Sequence, residues 1–323
     1  FGAVFESTLN PETRRSGGMH YTSIENIHKV IDPLFLDELK EELNEIRQFK
    51  QPKTVEQKAK QFQSKLASLL FFDPACGSGN FLTETYVSLR RLENEAIKLY
   101  MGDTVALDLG QDLVKVKLKQ FYGIEINDFA VSVAKTALWI AESQMLEETK
   151  DIVFANIDFL PLKSYTNIVE GNALEIDWES VVPKDKLNYI IGNPPFVGAN
   201  GVSKSQKQEL INLFGEKSNA GILDYVGGWY AKSAILINDT NIRCAFVSTN
   251  SISQGEQVSV LWDFLLKKNI SIDFAYKTFV WNSEAKEKAK VHCIIIGFSS
   301  VKQSKLILFD KDNKGIVEAI SPY

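Results

Sequence analysis

The sequence predicts an α/β protein with a doubly wound, mostly parallel sheet of seven strands, an antiparallel hairpin at the sheet edge and a helical segment in front. From residue 71 onward, short apolar runs alternate with longer amphipathic segments, which is typical of parallel strands joined by crossover helices. The first apolar run leads into a Gly-rich loop and then a helix, as in nucleotide-binding α/β domains. A chain of 323 residues has room for one such domain with additions.

Helices are predicted before the sheet. Apolar residues recur at near-helical spacing over residues 24–49 and 53–70. Proline disrupts a helix interior, so we expect a kink at Pro33 and a break at Pro52.

The sheet begins with a strand that ends at Phe71-Phe72. Residues 82–119 are then predicted to be helical, with a break near Gly102. The remaining strands are predicted at 121–126, 166–170, 187–192, 243–249, 272–280 and 291–298, and the helices between them at 128–147, 222–238 and 257–268. Only a short link joins the last two strands, which indicates the antiparallel hairpin.

Asn193-Pro194-Pro195-Phe196 directly follows a predicted strand and indicates chemistry on an amino nitrogen. An exocyclic amine on a heteroaromatic ring is a weak nucleophile because its lone pair is delocalised, so an alkylating enzyme must hold both N–H groups. The Asn193 side-chain oxygen and the Pro194 carbonyl are two adjacent acceptors, and successive prolines stiffen the backbone that carries them. Phe196 offers a stacking face. The alternative interpretation is a strand that ends in a Pro-Pro turn beside a core phenylalanine.

A second motif, DPACGSGNF at residues 73–81, joins the first predicted strand to a helix. Gly77 and Gly79 permit positive φ and a close approach of a ligand to the backbone. The motif lacks the glycine spacing and the lysine of phosphate-binding loops, so a pyrophosphate is not the obvious ligand. Glu125 ends the next strand, where a carboxylate can bind ribose hydroxyls or simply precede the following helix. It lies much farther from Gly79 than the roughly 20 residues of a compact dinucleotide unit, which predicts an insertion between them.

Taken together, these motifs resemble the S-adenosylmethionine-dependent amino-methyltransferases of DNA. DPACGSGNF, then GIE, then NPPF has the order of the gamma arrangement, and NPPF is similar to the N6-adenine branch. SGGMHYTS at 16–23 resembles the N-terminal cofactor motif of that family. FESTLN at 5–10, EGNAL at 170–174 and WNSEA at 281–285 are similar to the MmeI-like type IIL group, in which restriction and modification share one polypeptide. Several separated motifs agree in order, which is more specific than any one of them.

The resemblance implies a class I methyltransferase sheet and an enzyme that methylates N6 of adenine in DNA within a restriction-modification system, with S-adenosylmethionine as cofactor. It divides the chain into a helical segment (1–70) that carries the N-terminal cofactor motif, a catalytic domain (71–300) and the start of a C-terminal extension (301–323). It also implies a nuclease and a target-recognition domain elsewhere in a longer polypeptide. Methyl transfer would be direct and in-line, with no covalent enzyme intermediate and no general base.

Individual roles are also implied by the resemblance. Glu125 is expected to bind the cofactor ribose, and Asn172 stands where many relatives carry an Asp near the cofactor adenine. Tyr21 and Thr22 are expected to close the cofactor pocket, although a tyrosine in an amphipathic segment is also typical of a core. The cofactor-binding set is Tyr21, Thr22, Asp73, Ala75, Gly77, Gly79, Asn80, Glu125, Ile126, Asn172 and Ala173. The catalytic set that holds the target base is Asn193, Pro194, Pro195 and Phe196.

Two weaker regions bear on DNA. Residues 197–221 are predicted to be a mobile lid that orders on DNA or a solvated loop, with Lys204 and Lys207 among its cations. A base rotated out of the stack is held between flat side chains, so Phe279 or Trp281 is a candidate to face Phe196 across the base. Core packing is the alternative for at least one of these aromatic residues.

Composition is that of a soluble, cytoplasmic enzyme with no membrane partner: 45% of residues are hydrophobic, 24% are charged, and no apolar run is long enough to span a bilayer. The three cysteines, Cys76, Cys244 and Cys293, are expected to be small buried residues and not a metal site or disulfide framework. None follows a proline, so the nucleophile pattern of C5-cytosine methylation is absent. The formal net charge of −5 predicts weak, sequence-indifferent binding of double-stranded DNA by this chain alone.

Two other functions stay open from the sequence. An N5-glutamine protein methyltransferase acts on a planar amide nitrogen and carries a similar NPP-aromatic motif. A catalytically silent DNA-binding or assembly module would keep the fold without turnover.

Overall fold

A computed structural model describes residues 22–101, 113–153, 167–281, 291–310 and 313–322. Within these residues, strands form one mixed sheet. The strands are β1 (Phe71–Asp73), β2 (Phe121–Glu125), β3 (Ile168–Glu170), β4 (Tyr189–Gly192), β5 (Arg243–Thr249), β6 (Ser271–Trp281), β7 (Val291–Ser299), β8 (Leu306–Asp310) and β9 (Asn313–Val317). Their order across the sheet is β3-β2-β1-β4-β5-β7-β6-β8-β9.

The sheet is mostly parallel, as predicted. Every pairing among β1 to β5 is parallel, and β7 runs antiparallel between β5 and β6. The predicted antiparallel pairing of the last two strands is therefore confirmed. Two strands that were not predicted extend the sheet from seven to nine: β8 pairs parallel with β6, and β9 pairs antiparallel with β8. They lie in the segment 301–323, where the apolar run Leu306–Phe309 is the sequence signal for β8.

Helices precede and cover the sheet. They are α1 (Ile24–Ile31), α2 (Asp37–Arg47), α3 (Pro52–Ser68), α4 (Asn80–Met101), α5 (Asp128–Val153), α6 (Lys204–Phe214), α7 (Gly227–Ile237) and α8 (Glu256–Leu266). A π-helical turn, Asp32–Leu36, joins α1 to α2 at the predicted kink, and Pro52 begins α3, where a missing N–H has no cost. None of the helices in the described ranges is long and apolar enough to cross a membrane.

The helical prediction for residues 82–119 is wrong in its last part. α4 spans Asn80–Met101, and the predicted break near Gly102 lies outside the described residues. Residues 113–117 are irregular before a single 3₁₀ turn at Leu118–Gln120. The reason is a side chain on α4. Glu93 accepts hydrogen bonds from the backbone N–H groups of Lys115 and Val116, so these donors are satisfied without a helix.

The core lies on both faces of the sheet. Successive side chains of a strand point to opposite faces, and β1 shows this directly. Phe71 stacks on Phe121 with ring centroids 5.4 Å apart, whereas Phe72 meets Trp178 edge-on at 5.2 Å in a separate cluster. Apolar side chains on both faces of a central strand are what the continuous run Phe71-Phe72 predicts for a doubly wound sheet.

A buried polar network joins the helices α3, α4 and α5. Arg90 and Glu93 on α4 form an ion pair whose side chains are both 0% exposed. Arg90 Nη2 donates to Thr149 Oγ1 of α5 at 2.7 Å, and Glu93 Oε1 accepts from Gln63 Nε2 of α3 at 2.8 Å. Because each charge has several partners, the network fixes how α3, α4 and α5 pack.

Candidate functional site

The carboxyl ends of β1, β2, β3 and β4 meet at one edge of the sheet because these strands are parallel. β1 lies between β2 and β4, so the strand order reverses there, and ligands of open α/β sheets bind in the crevice at such a point. The loops after these strands interlock. Cys76 N donates to Ile124 O at 3.0 Å, and Gly171 N donates to Glu125 O at 2.8 Å. The structure thus brings the motifs after β1, β2, β3 and β4 to one crevice.

The loop after β1 needs glycine at two positions. Gly77 has φ of +52° and Gly79 has φ of +81°, a region that favours glycine. A Cβ at Gly79 would also lie 3.0 Å from the Cβ of Ala134 on α5. Trp229 of α7 fixes the start of this loop by donating its Nε1–H to the carbonyl of Pro74 at 3.1 Å. Asn80 then begins α4, with its backbone at the end of this loop.

Glu125 connects the loops after β1 and β2. Its side chain is nearly buried, with Oε2 accepting from Gly77 N at 2.9 Å and Oε1 accepting from Asn127 N at 3.0 Å. Burial raises the pKa of this carboxyl, while backbone N–H groups of Asn127, Gly77 and Ile126 oppose the shift. The alternative interpretation of Glu125 as an acid that merely precedes α5 accounts for the contact with Asn127 N but not for the contact with Gly77 N. The N-cap of α5 is Asn127, because its Oδ1 accepts from Ala130 N at 2.9 Å.

Asp73 is the last residue of β1, at the carboxyl end where the loops of the crevice begin. It is 1% exposed, and its Oδ1 accepts from Ala75 N at 3.0 Å. Burial raises the pKa of Asp73 to about 8, and the nearby Glu125 charge adds to the shift. Gly192 of β4 leaves the room for this side chain, since a Cβ there would lie 2.6 Å from Asp73 Oδ1. A cationic group bound in the crevice would favour the ionised form of Asp73.

The loop after β3 carries Asn172 and Ala173. Asn172 Oδ1 accepts from Leu174 N at 2.9 Å, so the amide oxygen is used to shape the loop. The Ala173 carbonyl accepts from Trp178 Nε1 at 2.8 Å and from Lys232 Nζ at 2.6 Å. Burial lowers the pKa of Lys232 to about 8. No local motif marks Lys232, because its partners are far away in sequence.

Asn193 stands at the end of β4, where the sequence predicts the target-base site. Its Nδ2 donates to Thr22 Oγ1 at 3.2 Å. Asn193 Oδ1 is buried and has no hydrogen-bond partner among the described residues. Thr22, expected at the cofactor pocket, is therefore in contact with the NPPF motif, while Tyr21 lies outside the described residues. Pro194 and Pro195 follow without regular structure, and Phe196 is half-buried against both core clusters.

The prediction of a solvated loop over residues 197–221 is wrong for its centre, which is α6, and the role of a lid that orders on DNA stays a prediction. Ser203 and Gln206 form a capping box: Ser203 Oγ accepts from Gln206 N at 3.2 Å, and Gln206 Oε1 accepts from Ser203 N at 3.0 Å. The spacing of Ser203 and Gln206 is the sequence signal for the start of this helix. Lys204 and Lys207 lie in the first turn of α6, the first exposed and the second half-exposed.

The aromatic candidates at 279 and 281 lie farther from the crevice. β6 runs parallel to β8 and antiparallel to β7, so its last residues reach the same edge as the end of β4. β5 and β7 separate β6 from β4. Phe279 is half-buried, and Lys29 Nζ of α1 lies 5.3 Å from its ring centroid. The backbone of Trp281 ends β6, and the placement of its side chain stays a prediction.

The cysteines are small buried residues, as predicted. Cys76, Cys244 and Cys293 are all buried with free thiols, and burial raises the pKa of each thiol. In the described parts of the chain, His, Cys, Asp and Glu side chains form no group of three or more that could hold a metal ion.

The sheet order and the loops after β1, β2 and β4 define a class I methyltransferase domain. The model of the MmeI DNA-methyltransferase domain family matches residues 49–310, so this chain belongs to that family. The chain is 42% identical over 330 aligned positions to DNA methyltransferase A of Bacillus subtilis (strain 168), an alignment that covers 100% of this chain and 36% of that protein.

Solved structures agree on the fold. The type IIL restriction-modification enzyme MmeI in complex with DNA superposes with a TM-score of 0.93 and 42% identity, over 99% of this chain and 43% of the MmeI chain. The DrdV–DNA complex superposes with a TM-score of 0.57 and 16% identity, over 95% of this chain and 29% of that chain, which shows the fold alone. This chain therefore spans less than half the length of these relatives.

Proposed function

We propose that this chain transfers a methyl group from S-adenosylmethionine to N6 of a flipped-out adenine in DNA, as part of a restriction-modification system. The observation that carries the proposal is the Asn193 side chain. Its Oδ1 is a buried acceptor without a hydrogen-bond partner in the described ranges, although its Nδ2 is engaged by Thr22. A buried acceptor without a donor is costly, and native proteins keep few of them. An amino group beside Asn193 would supply the donor.

The residues of the crevice suit the proposed cofactor. Gly77 and Gly79 let a ligand approach the backbone of the loop after β1. Asp73 is a buried carboxyl that favours a cationic neighbour, which the sulfonium and amino groups of S-adenosylmethionine provide. Glu125 presents a carboxylate for ribose hydroxyls, and the adjacent Ile126 is 65% exposed, an apolar surface suited to a purine ring.

When bound, S-adenosylmethionine supplies an electrophilic methyl group on a positively charged sulfur. The task of the chain is then to hold the target nitrogen. Asn193 Oδ1 and the Pro194 carbonyl each accept one N–H of the amine, which turns its lone pair out of conjugation with the ring. Pro194 and Pro195 restrict the backbone that carries these acceptors, and Phe196 stacks on the base. No side chain has to remove the amine proton before attack, so positioning supplies most of the rate.

Site selection and cleavage are proposed for other parts of a longer protein. The chain covers 36% of the Bacillus relative and 43% of the MmeI chain. Its formal net charge is −5, and negative charge repels DNA phosphates, so its own affinity for double-stranded DNA is expected to be weak. A target-recognition domain and a nuclease are the proposed partners.

Asn193→Ala tests the proposal. We expect the single-turnover rate of N6-adenine methylation by the full-length protein to fall by about 10² to 10³-fold, because one of two preorganised acceptors is lost. The affinity for S-adenosylmethionine, measured by calorimetry, should change by less than about twofold, since the loss is confined to the transfer step.

Asn188→Ala is the matched control, because Asn188 lies just before β4, at its opposite end. Its Oδ1 accepts from Leu70 N at 2.8 Å, so the variant loses a comparable amide contact away from the crevice. Full activity in Asn193→Ala, or an equal loss of activity in a folded Asn188→Ala, would contradict the role given to Asn193.

A further inference from the structure

Asp224 is a buried acidic residue whose side chain binds the backbone directly after the NPPF motif. It is 1% exposed and lies in the turn before α7. Its Oδ1 accepts from Val197 N at 3.1 Å, and the next residue, Tyr225, donates its backbone N–H to Val197 O at 3.2 Å. Both backbone groups of Val197 are therefore held by two successive residues from another part of the chain.

The second carboxylate oxygen of Asp224 reaches the neighbouring strand. Oδ2 accepts from Thr249 Oγ1 at 2.9 Å and from Ser251 Oγ at 3.4 Å. Thr249 is the last residue of β5, which pairs with β4. The carboxylate thus bridges the segment that follows β4 to the end of β5. Asp224 is itself fixed from α8, because its N–H donates to Gln257 Oε1 at 2.8 Å.

This bridge matters because of the prolines. Pro194 and Pro195 have no N–H, so the segment between Asn193 and Phe196 loses the donors with which backbone is normally fixed. β4 holds the segment at its front, and the contacts to Val197 hold it behind. The direction of the Pro194 carbonyl and of the Phe196 ring depends on both ends.

We propose that Asp224 is a positioning residue for methyl transfer, because its carboxylate fixes Val197 and thereby the orientation of the acceptor pair and the stacking ring. The inference rests on the proposed function of Asn193 to Phe196. Asp224 acts through Val197 and is not itself expected to touch the substrate. Its effect should therefore fall on the transfer step and spare the binding of cofactor, which is proposed to use the loops after β1, β2 and β3.

Three variants test this role. Asp224→Ala removes the acceptor of Val197 N–H, and we expect the single-turnover methylation rate to fall by about tenfold to a hundredfold, because a small misplacement of reacting groups is costly. Asp224→Asn keeps one carbonyl oxygen for Val197 N–H, and its amide can donate to Thr249 Oγ1, since a hydroxyl also accepts. It should restore the rate to within about threefold of the parent. Thr249→Val removes one anchor of the carboxylate and should give an intermediate rate.

The matched control is Asp273→Ala, which removes another buried carboxylate, 2% exposed, on β6. A merely structural role of Asp224 would lower the melting temperature and weaken S-adenosylmethionine binding in parallel with the rate, as expected for a general loss of packing. The positioning role requires that Asp224→Ala slows the transfer step while its affinity for S-adenosylmethionine stays within about twofold of the parent. Asp273→Ala should lower the melting temperature without a selective decrease of the transfer rate.

The experiment separates failure of the positioning role of Asp224 from failure of the proposed methyl transfer. If the parent transfers no methyl group to adenine, the proposed function fails and the inference fails with it. If the parent is active and Asp224→Ala transfers at the parental rate, the positioning role alone is overturned. Should Asp224→Ala not fold, Thr249→Val decides: an unchanged transfer rate overturns the proposal, and a selective decrease supports it.

Discussion

Replacing Glu125 by glutamine should weaken the binding of S-adenosylmethionine while leaving the fold intact. The carboxylate is 7% exposed, and each of its oxygens already accepts one backbone N–H, from Gly77 and from Asn127. The remaining lone pairs are those proposed to bind ribose. Glutamine presents one oxygen and one NH2 group, so an acceptor for a ribose hydroxyl is lost. The NH2 group also faces a backbone N–H, so that two donors meet.

The expected loss follows from the strength of a hydrogen bond to a charged group. One such bond contributes about 1.5–3 kcal/mol, which corresponds to a dissociation constant higher by about 10- to 150-fold. The free energy of unfolding should not fall in parallel. Two effects on stability oppose each other: burial raises the pKa of Glu125, so a neutral amide removes the cost of a buried charge, whereas the NH2 group leaves one backbone N–H without its acceptor.

Isothermal titration calorimetry with S-adenosylmethionine measures this difference, and thermal unfolding without ligand checks the fold. Glu170→Gln is the matched control, because Glu170 ends β3 directly beside Glu125 in the strand register and is exposed. It should bind like the parent. Parental affinity in a folded Glu125→Gln variant would refute the assignment of Glu125 to the ribose.

Two further predictions concern buried charge. Burial raises the pKa of Asp73 from 3.8 to about 8, so between these values the folded state holds a proton that the unfolded state has lost, and the free energy of unfolding falls as pH rises. Asp73→Asn should therefore gain stability over the parent at pH 8 more than at pH 5 in thermal melts, and an equal gain at both would contradict the shift. Arg90→Met leaves Glu93 as a buried charge without its cation, and urea unfolding should show a loss of about 3–5 kcal/mol, largely recovered in the double variant with Glu93→Gln. No loss in Arg90→Met would show that the pair is not fixed as described.

Much of the site could be predicted because its residues lie in short, local motifs. The loop from Asp73 to Asn80 and the NPPF motif each follow a strand directly, and parallel strands bring such loops to one edge. The seven predicted strands could likewise be found from apolar runs bounded by polar or small residues.

Contacts between distant segments could not be predicted in this way. The acceptor of Val197 N–H is Asp224, 27 residues further along the chain, and nothing in the local pattern at Asp224 indicates that partner. Lys232 is similar, since its partners Ala173 and Ile176 are carbonyls, which every residue carries. These positions depend on how helices pack across the sheet.

Two elements were missed although the sequence carries their signals. Ser203 and Gln206 have the spacing of a capping box at the start of α6, but the surrounding Gly, Ser, Asn and Lys residues favour a loop. The apolar run that forms β8 follows a polar stretch late in the chain, where an extension was the simpler interpretation. In both cases tertiary packing decides: α6 buries Leu210, and β8 pairs with β6.

Asn193 and Pro194 are proposed to hold the N6 amine of adenine in DNA. The most direct test of this proposal is nucleoside mass spectrometry of duplex DNA after incubation of the full-length protein with S-adenosylmethionine that carries a deuterated methyl group, beside a parallel reaction with a Gly-Gly-Gln peptide. We expect labelled N6-methyladenine and an unlabelled peptide. Labelled N4-methylcytosine, a labelled glutamine, or no transfer at all would contradict the proposal.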